Sequence, residues 1–359
     1  MKNAIDKIIE KTNLNLKGLN VITEAASLEY QLLPLLAARA GANVIALGKD
    51  TNYGTFLDIK EEITSKAIIV EVEDKIDIHH LEDFDQWEWA DIITNSGMLR
   101  PIDNSIVEKL KSTAVIPLLW ETWEFRPSEI DIEACQQKNI PVIGTNEGFD
   151  AINMFVYPGM LAIHILNQLR VDYSSDKIAV FGGELPGTLI ANHLYSLNKS
   201  VLWFADNYRN DLTTLVPHKY DMVKSLLLPS EVKVILLAEH SDPIQLIGPK
   251  GLLKTELLKN QQNLTKIGHL CGNIDLTEIE EEEEFLMYPK KVAPFGYLSI
   301  LPNMFGSTPM LKLFSAGLKV GEIASRSRLS GENVETAIIK TVKHGVGQDF
   351  EGGFYNFNK

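Results

Sequence analysis

The sequence predicts an α/β protein of two doubly wound parallel-sheet domains, and three observations carry that expectation. The chain has 359 residues, more than one ordinary core accommodates. Short apolar runs of β character alternate with amphipathic stretches, the pattern of a parallel sheet covered on both faces. The alternation breaks at a polar, turn-like segment over 171–176 and restarts with a strand that ends in a glycine turn.

In the first domain, expected over 1–150 as a flavodoxin-like substrate domain, the strand candidates are 19–23, 43–47, 68–72, 91–95, 115–118 and 141–144. Amphipathic stretches over 27–40, 103–111 and 129–138 lie between them. The mostly apolar segment 151–169 is long enough for a linking helix of about five turns. The second domain, expected over 151–300 as a Rossmann dinucleotide-binding domain, has strand candidates at 177–181, 200–205, 232–238 and 264–269, and helices over 188–197 and 251–260. The remaining stretch, 301–359, is expected as a helical segment packing back across the domains, with Ser330 capping a helix over 332–343. His79 and His80 read as a polar pair on a short helix, and the glutamate run 278–284 as a solvated surface segment.

Composition narrows the class of function. The formal charge of −14 repels nucleic acid and anionic membrane at long range. Cys135 and Cys271 are too few for a secreted disulfide framework, so a reducing cytoplasm is expected. The N-terminal residues carry no leader pattern, and no apolar run approaches the ~20 residues of a membrane span. A small molecule is the expected partner.

The strongest local motif is the strand 177–181 followed by Gly182-Gly183-Glu184-Leu185-Pro186-Gly187. A tight turn at Gly182 with a helix starting near Gly187 would aim backbone N–H groups and a positive helix end at a phosphate. The third glycine would let helix and strand pack closely. Glu184 holds the second glycine position, where a carboxylate crowds and repels a pyrophosphate; Gly183 offers a shifted turn in compensation. Asp206 ends the next strand, at the interval where an acidic residue takes ribose hydroxyls, which selects NAD over NADP. Asn207 and Ala238 complete the expected cofactor set, and Arg209 keeps NADP open. An ordinary glycine turn beside a solvated aspartate is the competing interpretation.

Two later segments resemble known families. Thr265-Lys266-Ile267-Gly268-His269-Leu270-Cys271-Gly272-Asn273-Ile274-Asp275 resembles the stretch of S-adenosylhomocysteine hydrolases that lies beside the NAD nicotinamide. That resemblance implies a site role for His269 and a Rossmann second domain. The wider layout resembles the D-2-hydroxyacid dehydrogenases with their formate and glycerate relatives, in order from about residue 90 to 310. Thr94-Asn95-Ser96-Gly97 resembles the loop whose N–H groups hold a substrate carboxylate, and the segment 301–308 resembles the one that carries the catalytic histidine. Here Asn303 stands at the histidine position and Leu270 at the arginine position. An amide cannot deliver a proton near neutral pH, so the acid/base must lie elsewhere. The resemblance also implies a homodimer, for which the apolar run 310–324 is a candidate face.

The cluster Trp120-Glu121-Thr122-Trp123-Glu124-Phe125-Arg126-Pro127 falls between a strand and a helix, at the edge where open α/β sheets bind ligands. Arg126 suits a carboxylate or phosphate, Glu121 or Glu124 a general base, and Trp120 an apolar wall. A structural tryptophan anchor with paired charges explains the cluster equally well. Asn146 follows the next strand and is also placed for substrate. His269 has the intrinsic pKa of a proton shuttle, although strand-end histidines are more often hydrogen-bonded structural residues; His240 has weaker grounds for cofactor contact. The expected activity is an NAD(P)-dependent oxidoreductase acting on a small anionic hydroxy or keto substrate in an interdomain cleft. The alternatives are an enzyme holding NAD as an internal redox group, or a ligand-binding protein that has lost catalysis.

Overall fold

Strand β1, Asn20–Glu24, forms because Val21, Ile22 and Thr23 are β-branched residues that fit a buried pleat. It is the centre of the first of two units in the computed structural model, which describes the whole chain except 198–199, 226–227, 262, 278, 280–284 and 358–359. The first unit comprises Met1–Met154 and Phe305–Lys359, and the second Phe155–Met304.

In the first unit, helix α1 (Lys2–Thr12) leads to β1, then α2 (Leu32–Arg39), β2 (Asn43–Gly48), α3 (Phe56–Val70), β3 (Ile76–His80) and β4 (Ile92–Ile93). Next come α4 (Asn104–Val107), β5 (Ile116–Pro117), α5 (Ile132–Lys138) and β6 (Val142–Thr145). The strands β3, β2, β1 and β4 are hydrogen-bonded in that order, all parallel. A parallel bridge from Ile92 to Val115 carries the sheet on to β5 and β6. The order 3-2-1-4-5-6 is that of a dinucleotide-type doubly wound sheet, and it corrects the flavodoxin-like order expected here.

The difference lies in β3. The run 68–72, expected as a strand, is the end of α3, which Thr55 and Asp58 start with a reciprocal capping box. Ile59, Ile63, Ala67 and Val70 bury one helical face, so the 3.6-residue period overrides the β-branched composition. The edge strand follows at 76–80 and alternates half-buried Ile76, Ile78 and His80 with exposed Asp77 and His79. The histidine pair therefore stands on a strand, with His80 edge-on to Phe56 at 5.1 Å.

The second unit opens with α6 (Tyr157–Gln168), shorter than the segment 151–169 because a 3-10 turn over Met154–Val156 precedes it. Then follow β7 (Lys177–Phe181), α7 (Glu184–Leu197), β8 (Val201–Phe204), α8 (Asp221–Ser225), β9 (Val232–Ala238) and β10 (Gln245–Ile247). The unit closes with α9 (Thr255–Lys259), β11 (Lys266–Cys271), β12 (Asn273–Ile274) and β13 (Leu286–Tyr288). Its main sheet is β13-β11-β9-β7-β8, all parallel, with chain order reversing between β7 and β9. A core of Phe181, Phe204, Tyr220, Ile235, Leu237 and Ile267 fills one face. Of the glutamate run 278–284 only Ile279 is among the described residues, and it is buried.

The chain then returns to the first unit with α10 (Thr308–Leu329), α11 (Val334–His344) and β14 (Gly347–Gln348), the last antiparallel to β6. Helix α10 packs on the sheet, with Gly317 against Leu118 and Leu119 and Gly321 against Ile92 and Pro117. The apolar run 310–324 is thereby mostly buried inside its own unit. Helix α11 is capped by Asn333, whose Oδ1 accepts the Thr336 N–H at 2.8 Å, and not by Ser330 as expected. Ser330 ends α10, its hydroxyl turned back to the Ser327 carbonyl. No described helix is long and apolar enough to cross a membrane.

Candidate functional site

Parallel α/β sheets bind ligands at the carboxyl ends of their strands, where chain order reverses. In the first unit that point lies between β1 and β4, and polar groups gather there. Glu24, the last residue of β1, is 2 % exposed. Its Oε2 accepts the Met98 N–H at 3.0 Å, while its Oε1 is buried with no hydrogen-bond partner among the described residues. Burial raises its pKa to about 7, against the opposing pull of the Met98 N–H and the Arg100 guanidinium.

Arg100 is fixed on three sides. Its Nε and Nη2 donate to the side-chain and main-chain oxygens of Asn95 at 3.0 and 3.1 Å, and its Nη1 to Glu129 at 2.8 Å. Its guanidinium lies 4.2 Å over the Trp120 ring, a cation–π contact. The Trp120 Nε1, like the Glu24 Oε1, is buried without a partner among the described residues. Such orphaned groups are uncommon and mark a place where a polar ligand or water completes the bonding. Trp120, which the sequence offers as an apolar wall, stands in this group; Glu24, Arg100 and Glu129 escape sequence reasoning altogether. The one signal for them is an acidic residue closing a buried strand.

Beside this group stand three carboxyls. Glu121 is 2 % exposed and accepts the Trp123 Nε1 at 2.6 Å and the Glu147 N–H at 3.3 Å. Burial and then Glu121 push the half-buried Glu124 up to about 8. Burial, then Glu124 and Glu121, hold Glu147 well above the carboxylate range. Carboxyls this close cannot all ionise, so protons are shared among them near neutrality. The two glutamates that the sequence offers as general bases, Glu121 and Glu124, therefore stand in one carboxyl cluster with Glu147.

Other expected residues are engaged elsewhere. Arg126 gives its Nη1 to Glu129 at 3.0 Å, so its fork faces an internal carboxylate. Asn146 donates to the Gly345 carbonyl and accepts the Gly148 N–H, the bonds of a turn anchor. Ser96 is buried against Thr94, and Gly97 opens a short 3-10 turn whose Met98 N–H is the one taken by Glu24. The loop expected to hold a substrate carboxylate therefore holds an internal one.

In the second unit, the glycine turn lies at the reversal between β7 and β9. Gly182 has φ +151°, and a Cβ there would come within 2.2 Å of the Ala238 carbonyl oxygen. A Cβ on Gly187 would meet the Gly182 carbonyl at the same 2.2 Å, so the close helix–strand packing expected of the third glycine is present. The helix starts at Glu184, earlier than expected, with Leu185 and Pro186 buried in its first turn. Glu184 takes a left-handed φ of 41°, strained for a residue with a side chain. Asp206 accepts the Tyr220 N–H at 3.0 Å, and the Asn207 carbonyl accepts the Glu184 N–H at 3.1 Å. Arg209 pairs with Asp211 through two bonds of 2.7 and 2.6 Å.

The fit of a dinucleotide is mixed. Asp206, expected to take ribose hydroxyls, lines a cavity of about 140 Å³ with Glu184, Asn207, Glu239, Ser241 and Asp242. The turn's donors are another matter: Gly183 N–H goes to Glu239 at 3.0 Å, Glu184 N–H to Asn207, and Pro186 has none. A pyrophosphate entering this turn has to compete for the Gly183 and Glu184 N–H groups.

His269 is fully buried. Its Nε2 lies 2.8 Å from the Pro289 carbonyl, which only accepts, so that nitrogen carries the proton. Its Nδ1 then accepts from the Ser299 hydroxyl at 3.0 Å. Burial lowers its pKa, and both nitrogens are occupied, which corrects the proton-shuttle expectation: His269 is a structural tie between β11 and the segment after β13. Asn303 lies half-buried in the 3-10 turn Pro302–Phe305. His240 follows β9 and is buried, and Cys271 is buried with its thiol pushed up, far from a reactive thiolate.

No protein-family model matches the sequence, and no curated protein is similar to it in sequence. The chain is similar in fold to dipicolinate synthase. The Bacillus halodurans structure aligns with a TM-score of 0.52 at 12 % identity, over 84 % of this chain and 96 % of that one. The Bacillus subtilis structure gives 0.52 and 12 %, over 90 % and 99 %. The apo D-lactate dehydrogenase of Escherichia coli aligns at 0.47 and 13 %, over 88 % and 98 %. The two-unit α/β fold expected from the sequence is thereby met along nearly the whole chain; at these identities the likeness is one of fold.

Proposed function

We propose that this chain is an oxidoreductase acting on a small polar substrate at the carboxyl edge of the first unit's sheet, with Glu24 exchanging the proton. The observation that carries this is Glu24 itself: a buried carboxyl at the sheet's reversal point, one oxygen unpartnered, poised near neutrality beside a fixed guanidinium. A carboxyl in that state gives a proton to an alkoxide or takes one from a hydroxyl at neutral pH. Arg100, held by Asn95 and Glu129, places a fixed positive charge beside that oxygen, and Trp120 closes one wall. The adjoining Glu121, Glu124 and Glu147 form a reservoir for the proton.

The oxidoreductase class is supported by the fold and by the glycine turn with Asp206, and in this reading the cofactor is NAD. Proton handling is the part of the reaction that the residues present supply. A second reading is favoured by the occupied turn: the fold is retained, and the ligand is bound on the first unit without a dinucleotide. Titration of NAD, NADH, NADP and NADPH into the purified protein, after assay for nucleotide released on denaturation, separates the two. Micromolar binding of the NAD pair and turnover with a hydroxy or keto acid, lost in Glu24→Gln, is the expected result. A full absence of nucleotide binding leaves the second reading.

A further inference from the structure

The turn from β7 into α7 is the place where such a sheet presents backbone donors and the positive end of a helix to a phosphate. In this chain an anion is already there. Glu239, the residue after β9, is 3 % exposed. Its Oε2 accepts the Gly183 N–H at 3.0 Å and the Tyr220 hydroxyl at 2.7 Å. Its Oε1 accepts the N–H groups of Ser241 and Asp242, each at 3.1 Å. Four donors converge on one carboxylate, and no lysine or arginine among the described residues forms an ion pair with it. A buried carboxylate is costly unless it is fully hydrogen-bonded, and here the phosphate-binding turn supplies part of that bonding.

The surroundings agree. The cavity in front of the turn carries the side chains of Glu184, Asp206, Glu239 and Asp242 and no cation. Tyr220 is fully buried and ties the set together, its hydroxyl on Glu239 and its N–H on Asp206. A pyrophosphate entering would have to strip Glu239 of its bonds and leave Tyr220 unpaired, against the like charge of the lining carboxylates, with Lys219 on the Asp206 carbonyl as the neighbouring cation.

We infer that Glu239 is an internal anion filling the phosphate seat of the second unit, so that a dinucleotide binds there only by displacing it. The inference rests on the oxidoreductase reading only for the identity of the displacing ligand; the filled seat stands apart from it. The test is calorimetric titration of NADH and, separately, inorganic pyrophosphate into the full chain and its Glu239→Ala and Glu239→Gln variants. Glu239→Ala is expected to bind pyrophosphate and NADH at least about tenfold more tightly than the parent chain. Glu239→Gln, which keeps an acceptor for the Gly183 N–H and drops the charge, is expected to gain less, in the same direction. It also serves if the alanine variant does not fold. Unchanged affinity for both ligands in the folded variants overturns the inference, as does micromolar pyrophosphate binding by the parent chain. A gain for pyrophosphate without one for NADH upholds the filled seat and removes the dinucleotide reading. Equal NADH binding by all three chains upholds the dinucleotide reading and removes the filled seat.

Discussion

Glu24 shows how much a single residue's surroundings decide. Its carboxyl titrates near 7 instead of 4.5 because burial disfavours the charged form more than Met98 and Arg100 favour it. Between those two values the native protein holds a proton that the unfolded chain has released, so stability falls as pH rises through that window and is fully present below it. Glu24→Gln keeps the acceptor for the Met98 N–H and removes the titration. The variant is expected to gain on the order of 3 kcal/mol over the parent at about pH 8 and nearly nothing at about pH 4. Urea unfolding at the two pH values reads this directly, and an equal difference at both would show that Glu24 is not the titrating group. Residues of this kind are the least legible in the sequence. Trp120, Glu121 and Glu124 stand out because they crowd one segment. Glu24, Arg100 and Glu129 are scattered in sequence and meet only because β4 pairs with β1 and the segment before α5 returns against the one after β4. His269 misleads for the opposite reason: a motif match places it at a site, while its bonds to Pro289 and Ser299 are a matter of tertiary packing.

At the scale of elements, periodicity is legible wherever a strand is buried on both faces, as in β1, β2, β7 and β9, because such strands read as unbroken apolar runs. It fails at the sheet edge, where β3 alternates with polar residues and the apolar end of α3 looks more like a strand than β3 does. Helix α10 is legible as apolar but not as buried. Along it, Lys319 and Glu322 form an internal pair at 3.0 Å. Lys319 also donates to the Asn13 carbonyl at 2.6 Å, and Glu322 accepts the Asn15 N–H at 2.8 Å. The pair thus pins α10 to the turn between α1 and β1, with side chains only 6 and 10 % exposed. Lys319→Ala leaves the buried Glu322 with only the Asn15 N–H and the more distant Arg326 Nε at 3.8 Å and is expected to cost about 3 kcal/mol, whereas replacing both residues with apolar ones of similar volume costs much less. A double-mutant cycle by denaturant unfolding checks it; strictly additive losses would mean the two charges are not coupled.

For the whole molecule, the sequence foretells two α/β domains and the restart of the pattern, but not the path of the chain between them. The first unit is discontinuous: 1–154 lays down six parallel strands, and 305–359 returns to complete it. The returning segment is integral to the unit. Phe314 of α10 is 1 % exposed, and Leu318 and Val320 are fully buried. β14 extends the sheet beyond β6, and the Gln348 side chain accepts the Thr122 N–H at 2.7 Å next to Glu121. The second unit, by contrast, is one continuous stretch with its own five-stranded sheet and core. Sequence patterning cannot register this asymmetry, because periodicity reports that a helix has a buried face and not which sheet covers it. The consequence for folding is specific. A chain ended after Met304 exposes the sheet face that α10 covers, and at roughly 25 cal/mol per Å² of apolar surface such a loss exceeds the few kcal/mol by which domains are stable. The truncated chain is expected to show a single cooperative transition, that of the second unit, with the first unit collapsed or aggregated. Fragment 155–304 alone is expected to melt close to that same transition. Hydrogen exchange on the truncated chain distinguishes the outcomes: protection retained in β7, β9 and β11 but lost in β1 and β2 is the expected pattern, and protection retained in both sheets would mean that α10 is dispensable to the first unit.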